Sequence, residues 1–584
     1  MTEWGEPGQD WIWVFLHQQL GRRAFLRRAA ELGLSGPALL AVLAACAGET
    51  KTPTTGPGAG TPLVASPTSA GTSVATKQAT PAGQPKQGGQ IIIGTLGEAQ
   101  TINPFVSNES EGNWRVKMLF DQFVRLKLDT LEPKPGLAKS WQRDNLTYTF
   151  QLQDNAKFSD GSDLTADDVA FTIKGILAKA TASPRQSRFL SIQGAKAYAA
   201  GSADDVAGIK VLDPKRLQIT LEQPDASFLI NLRYVSPVPK RLLEGKDLSA
   251  KSQDPFFQKP IGAGPFKFVS WTVGGDFVAE RNPYYYEQGL PYLDRFTHRV
   301  IADAQSLANA LLSGDIDGSL YPTPATYQQL KNNANLTVIV PPFTQPDGWL
   351  FNLKHPYLSK KEVRQAVAYA LDMNQFANDS LYGLGKPGRG PIAPSNWAFD
   401  DSIQPWPYDL DKAKQLLQQA GPPPSDIEFL ANKGNILRED FLTYTQQQLE
   451  KIGWKIKASV IEWTVLVTRT INKNFDVSQA TFVGTTIDPG DLAIQFMTNG
   501  SQNYASYSNP QLDTLLDQAR KELDTQKAKD LYKQIQRILL DDLPAYWAWY
   551  RPFLHVIKKQ FAGYVPTVET GGIFAELERV YVAK

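Results

Sequence analysis

At 584 residues the chain is far longer than the ~250–300 residues at which a single hydrophobic core stops growing, so at least two lobes are expected. A hydrophobic share of 42% with 20% charge suits a soluble globular body, and 60 Lys plus Arg against 59 Asp plus Glu, with no long run of one sign, offers no footprint for a nucleic acid. The single cysteine, Cys46, excludes an intrachain disulfide and confines thiol chemistry to one position.

In chain order, Gly21-Arg22-Arg23-Ala24-Phe25-Leu26-Arg27 resembles the twin-arginine export motif. Residues 29–45 follow as a weakly apolar stretch, which Glu31, Gly33, Gly36 and Pro37 make a poor permanent membrane helix. Leu43-Ala44-Ala45-Cys46 is similar to the bacterial lipobox, in which cleavage leaves the cysteine free to take lipid. Residues 1–45 are therefore expected to be a signal peptide and Cys46 a membrane anchor carrying more than one acyl chain. Residues 46–89 are rich in Thr, Pro, Ala and Gly and cannot bury enough surface to fold, so they read as a disordered tether with a reach on the order of 35 Å. The GPGAG at 56–60 lies in that tether and is no phosphate loop.

The apolar run 91–94 predicts a buried strand. Leu146, Tyr148, Phe150 and Leu152 alternate with polar residues, the period of a strand with one buried face, and the short run Lys157-Phe158 is expected to pair with it as a hairpin. Thr165 with Asp168 reads as a capping box before the apolar positions Val169, Ile173, Ile176 and Leu177.

Here the likeness to a family becomes specific. PGLAKSW at 135–141, TYTFQLQDNAKFSDG at 147–161 and LTADDV at 164–169 resemble the signature of the family 5 solute-binding proteins, the large extracytoplasmic receptors of peptide, nickel and oligosaccharide ABC transporters. Farther along, Thr101-Ile102-Asn103-Pro104, PIGAGPF at 260–266, RNPYY at 281–285, LLSGDID at 311–317, WLFN at 349–352 and VRQAVAYALD at 363–372 are similar to motifs of the same family. The resemblance implies an α/β, two-lobed periplasmic-binding-protein (Venus-flytrap) fold. Its first lobe would comprise 90–132, an extra subdomain at 133–259 and a continuation at 260–345. The second lobe would fill 346–545, and 546–584 would return to the first, so that the chain crosses near 345 and near 546.

Within the second lobe, Ser359 and Glu362 are expected to cap a helix with Val363, Ala366, Val367 and Ala370 on one face. Helices at 410–420 and 438–452 alternate with strands at 427–430 and 454–460, which predicts a largely parallel sheet. Thr525 is expected to cap a last long helix.

Enzyme motifs are missing from the sequence: there is no GxSxG, HExxH or Walker pattern, and the histidines are dispersed. The GLGKPG at 383–388 satisfies GxGxxG but follows a helix and has Pro387 where a nucleotide-binding helix would start. Asp315 and Asp317 read as a structural turn rather than a metal pair. The family resemblance implies that the pocket is lined by Asn103, Trp349, Asn352, Tyr382, Arg389, Trp397, Trp406, Thr485, Thr486 and Asp488. FVGTTIDP at 482–489 is similar to WGADYPDP, in which peptide-binding relatives set an Asp against the ligand's α-amino group; Thr485 stands there instead, and a hydroxyl leaves a buried ammonium without a counter-charge. The expectation is a non-enzymatic, cofactor-free and metal-free receptor, a monomer outside the cytoplasm, delivering an oligopeptide or similar oligomer to an ABC permease. An oligosaccharide ligand on the same fold and a secreted hydrolase are the alternatives.

Overall fold

The computed structural model describes residues 85–320, 322–341, 345–482, 488–551, 554–566 and 575–583, all within the unit Ala79–Lys584. The signal segment, Cys46, Thr485 and Thr486 lie outside the described residues. Two large cores organise the described chain, one built around Trp114, Phe120 and Phe150, the other around Trp349, Trp454 and Trp547, and each belongs to one lobe.

In the first lobe a seven-stranded sheet runs, in spatial order, through Leu336–Ile339, His555–Lys558, Gly318–Ser319, Gln90–Thr95, Arg295–Val300, Asp276–Arg281 and Phe266–Trp271. Gln90–Thr95 is parallel to both its neighbours, and Ile91, Ile93 and Gly94 of its apolar run are buried while Ile92 is half-buried. The tether ends sooner than the composition indicates, because Gly88 N–H donates to the Tyr292 carbonyl at 2.8 Å and Gly89 N–H to the Asp294 carboxylate at 3.1 Å. Asp317 accepts from the Ile92 N–H and the Lys558 ammonium, which makes the LLSGDID turn a brace of this sheet.

A four-stranded antiparallel sheet, Ala138–Asp144, Thr147–Leu152, Arg216–Thr220 and Ile209–Asp213, lies in the segment 133–259 and packs into the same core. Tyr148, Phe150 and Leu152 point into the core, as their alternation requires. Their hairpin partner is Ala138–Asp144 and not Lys157-Phe158, where Lys157 makes only an isolated bridge to Asp163. The helix Ala166–Leu177 begins as read: the Asp168 carboxylate accepts from the Thr165 N–H at 2.8 Å and the Thr165 hydroxyl at 2.9 Å.

The second lobe holds a six-stranded sheet in the order Lys386–Pro387, Ala545–Arg551, Gln345–Phe351, Val477–Thr481, Glu428–Asn432 and Lys457–Ile461. It is mixed rather than largely parallel. Only Glu428–Asn432 pairs in parallel, with both its neighbours; the strand that enters the lobe and the strand that leaves it lie side by side and so must run in opposite directions. Two helix starts also differ from expectation. Lys360 occupies the position before Lys361–Ala370 while the Ser359 hydroxyl donates to the Pro356 carbonyl, and Asp524, not Thr525, caps Thr525–Asp542 by accepting from the Gln526 and Lys527 N–H groups.

The lobes are joined by two straps. One leads from Leu336–Ile339 into Gln345–Phe351, the other from Ala545–Arg551 into His555–Lys558, and the straps pair with each other on both sides of the crossing, Ile339 against His555 and Gln345 against Arg551. The return crossing therefore falls after Arg551 rather than near 546: Ala545–Arg551 is buried to its penultimate residue and bonded along both edges within the second lobe. At the bulge in this pairing a Cβ on Gly348 would lie 1.9 Å from the Tyr546 carbonyl oxygen. Gly348→Ala should accordingly destabilise the protein by about 1–3 kcal/mol in urea denaturation, the usual range for overpacking.

Buried histidines add a pH dependence. His298 accepts from Arg115 Nε at 2.9 Å on its Nδ1, which places its proton on Nε2, toward Thr95 Oγ1. His555 pairs with the Tyr564 hydroxyl, and burial pushes its imidazole down to about 4. A depressed base stabilises the fold above its ordinary pKa of about 6.5, and that contribution is lost as pH falls toward 4. Thermal unfolding temperature should drop through that window, and His555→Phe should flatten part of the drop.

Candidate functional site

Where the lobes face each other, a charged clasp closes the gap. Arg188, in the first lobe's turn Gln186–Phe189, reaches Asp491 at the start of the second lobe's helix Asp491–Phe496 with two parallel bonds, Nη1 to Oδ1 at 2.8 Å and Nη2 to Oδ2 at 3.2 Å. Both side chains are largely buried, and a bidentate fork is the strongest form of such a pair. Burial alone would pull the Arg188 guanidinium down, but Asp491 outweighs it and holds the group protonated above its ordinary range. Beside the clasp the Ala226 N–H donates to the Arg520 carbonyl at 2.9 Å, and Gly490 sits so close to Ser227 that a Cβ there would meet its hydroxyl at 2.7 Å. The ring of Tyr234 lies under three guanidinium groups, those of Arg185, Arg188 and Arg233, at 4.3–5.1 Å.

A cavity of about 690 Å³ opens between the lobes. Arg143, Tyr148 and Asp225 line it from the first lobe, Trp397, Asp488 and Tyr532 from the second. That volume falls within the ~300–1,000 Å³ usual for small-molecule sites. Burial raises the carboxyl pKa of both Asp225 and Asp488, the latter further through Asp491.

A second pocket, about 240 Å³, lies wholly within the second lobe. The helix Trp463–Ile471, the strand Val477–Thr481 and the helix Asp491–Phe496 wall it, with Leu350, Leu466, Phe482 and Phe496 as apolar lining. Trp463 is 52% exposed at its rim, with the Arg438 guanidinium 5.7 Å from its ring. Phe482 borders this pocket and Asp488 borders the interlobe cavity.

Of the residues singled out from sequence, the structure brings Trp397 and Asp488 to the interlobe cavity, where Trp397 is 37% exposed and meets Tyr532 edge-on. The others described lie elsewhere. Trp349 is fully buried, stacked on Phe441 at 5.0 Å and donating to Thr445 at 3.1 Å, so it is core with no face left for a solute. Asn103 and Asn352 spend their amides on backbone: Asn103 on Leu248, Ser249 and Phe105, Asn352 on Lys473, Phe475 and Lys354. Arg389 ties down the loop at 399–403 through the Ile403 and Asp401 carbonyls and lies over Phe399. Trp406 packs edge-on against Tyr369, and Tyr382 is an exposed turn residue with φ of 52°. Sequence reading missed Arg188, Asp491 and Trp463. Trp463 had a signal, since WTVLV puts apolar residues on more of the helix than one buried face needs; the clasp had none, because its partners are 303 residues apart. Among the described residues no cluster of His, Cys, Asp and Glu could hold a metal ion, and no helix is long and apolar enough to cross a membrane.

Comparison with known proteins agrees with this architecture. Residues 132–504 match the family model described as bacterial extracellular solute-binding proteins, family 5 Middle, and the chain belongs to that family. It is 29% identical over 508 residues to the oligopeptide-binding protein AppA of Bacillus subtilis, covering 83% of this chain and 90% of AppA. It is 26% identical over 504 residues to the glutathione-binding protein GsiB of Salmonella typhi, covering 84% and 94%. The structure of Bacillus subtilis AppA in complex with a nonapeptide superposes with a TM-score of 0.75 at 27% identity, covering 86% of this chain and all of that one. Proteins of this family bind solutes outside the cytoplasm.

The clasp can be tested in the unliganded protein. Asp491→Asn leaves Arg188 without its counter-charge in the closed form, a loss of up to about 3–5 kcal/mol for a buried pair. Small-angle scattering should report a larger radius of gyration, and replacing both partners, Arg188→Met with Asp491→Leu, should restore part of the compaction.

Proposed function

We propose that the chain is the solute-binding component of an ABC importer, held at the outer face of a membrane by lipid on Cys46, and that it delivers an oligopeptide or similar oligomer to the permease. The observation that carries this reading is the pair of lobes joined by two adjacent straps and clasped over a cavity of about 690 Å³. The names of the relatives, oligopeptide-binding and glutathione-binding, support a peptide-like solute. Capture follows from hinge motion: the straps bend, the lobes part, the solute enters, and closure re-forms Arg188 to Asp491. A solute shifts the balance only by as much as it binds the closed form more tightly than the open one. No bond in the solute is made or broken. Thr485, at the position aligned with the amine-binding Asp of relatives, favours solutes whose amino end needs no counter-charge.

Incubation with mixed oligopeptides should raise the thermal unfolding temperature, corresponding to about 2.7 kcal/mol at a hundredfold excess over Kd, and mass spectrometry should recover the peptides intact. Cleavage at catalytic rates would sink the reading in favour of a hydrolase.

A further inference from the structure

Three arginines of the first lobe share one tyrosine and almost no counter-charge. The guanidinium groups of Arg185, Arg188 and Arg233 lie 5.1, 5.1 and 4.3 Å from the centre of the Tyr234 ring. Arg185 is 5% exposed and Arg233 3%, and Arg185 Nε, Arg233 Nε and Arg233 Nη1 have no hydrogen-bond partner among the described residues. The other nitrogens bond to neutral oxygens: Arg185 donates to the Pro104 and Ser107 carbonyls and the Asn113 amide, and Arg233 Nη2 to the Tyr234 hydroxyl. Among the described residues Asp491 is the one carboxylate in an ion pair with any of the three, through Arg188. Asp488, the next acid, belongs to the second lobe as well, accepts from the Gly490 N–H, and is pushed toward its neutral form by burial. Contact with a ring face offsets only a small part of the cost of taking a cation out of water, so buried guanidinium groups need an anion as well. Tyr234 reports the excess of positive charge. Burial pushes its hydroxyl up, as at Tyr285, Tyr546 and Tyr550, but here the guanidinium groups, Arg233 foremost, outweigh burial and bring it below its ordinary value.

We propose that this cluster is the seat of a carboxylate carried by the solute and that Arg233 is the residue that selects for it. The inference rests on the reading of the chain as a solute receptor whose lobes part. The protein's own Asp491 shows that a carboxylate fits against these groups. Because Asp491 and Asp488 both come from the second lobe, parting the lobes withdraws them and leaves three guanidinium groups with no carboxylate beside them. An incoming carboxylate accepts from the Arg233 nitrogens that nothing else uses, in charge-assisted bonds of the stronger kind. A carboxamide in the same place brings no charge, and an ammonium meets like charge. Thr485 offers an amine no counter-charge, so the acid end of a peptide-like solute is the charged group that this protein holds.

The experiment measures Kd by calorimetry for Ala-Gly-Ala, acetyl-Ala-Gly-Ala and acetyl-Ala-Gly-Ala amide, with maltotriose as a sugar control, on the wild-type protein, Arg233→Met and Arg233→Lys. The wild type should bind both free acids at least about tenfold more tightly than the amide, a comparison that needs no variant. Arg233→Met should lose about tenfold for the free acids, bring the amide level with them, and leave the unliganded unfolding temperature equal or higher, because it removes a buried charge that has no carboxylate partner. Arg233→Lys should keep the preference for the free acids. A merely structural role for Arg233 would lower the unfolding temperature in Arg233→Met and weaken acid and amide alike, which overturns the inference. Equal affinity of the wild type for acid and amide also overturns it while leaving the receptor reading intact. Binding of maltotriose but of no peptide overturns both.

Discussion

Two strands lying edge to edge decide what this molecule can do. Gln345–Phe351 carries the chain into the second lobe and Ala545–Arg551 carries it out, and because they pair with each other, the two connections between the lobes lie side by side. The pairing extends across into the first sheet, where Leu336–Ile339 meets His555–Lys558. The same constraint makes the second sheet mixed, and it explains the close backbone contact at Gly348.

Away from these strands the Arg188–Asp491 clasp ties the lobes together a second time. Arg188 and Asp491 are nearly dry when joined and would be hydrated when apart, so the gain on closing is the difference between a forked ion pair and two solvated charges.

Much of the fold was legible where its cause is local. The Thr165 to Asp168 cap needs only neighbouring residues, and the alternation of Tyr148, Phe150 and Leu152 reports one buried face directly. The hairpin partner was misread because Ala138–Asp144 is almost wholly exposed and so carries no alternation to find. Strand direction in the second lobe and the place of the return crossing depend on pairings hundreds of residues apart. The site was harder still. A tryptophan reads alike in a core and in a cleft, and only the rings of Phe429 and Phe441 around Trp349 reveal which it is.

The Cα partners Gln345 and Arg551 mark the two places where the second lobe joins the first, and they are direct neighbours across one ladder. Topologically that lobe is an insert whose entrance and exit share a doorway. A segment with adjoining ends can be cut from its host and closed by a tight turn, or exchanged for the matching segment of a relative, without stretching either sheet. The architecture thus makes the second lobe a separable module on an unchanged first lobe.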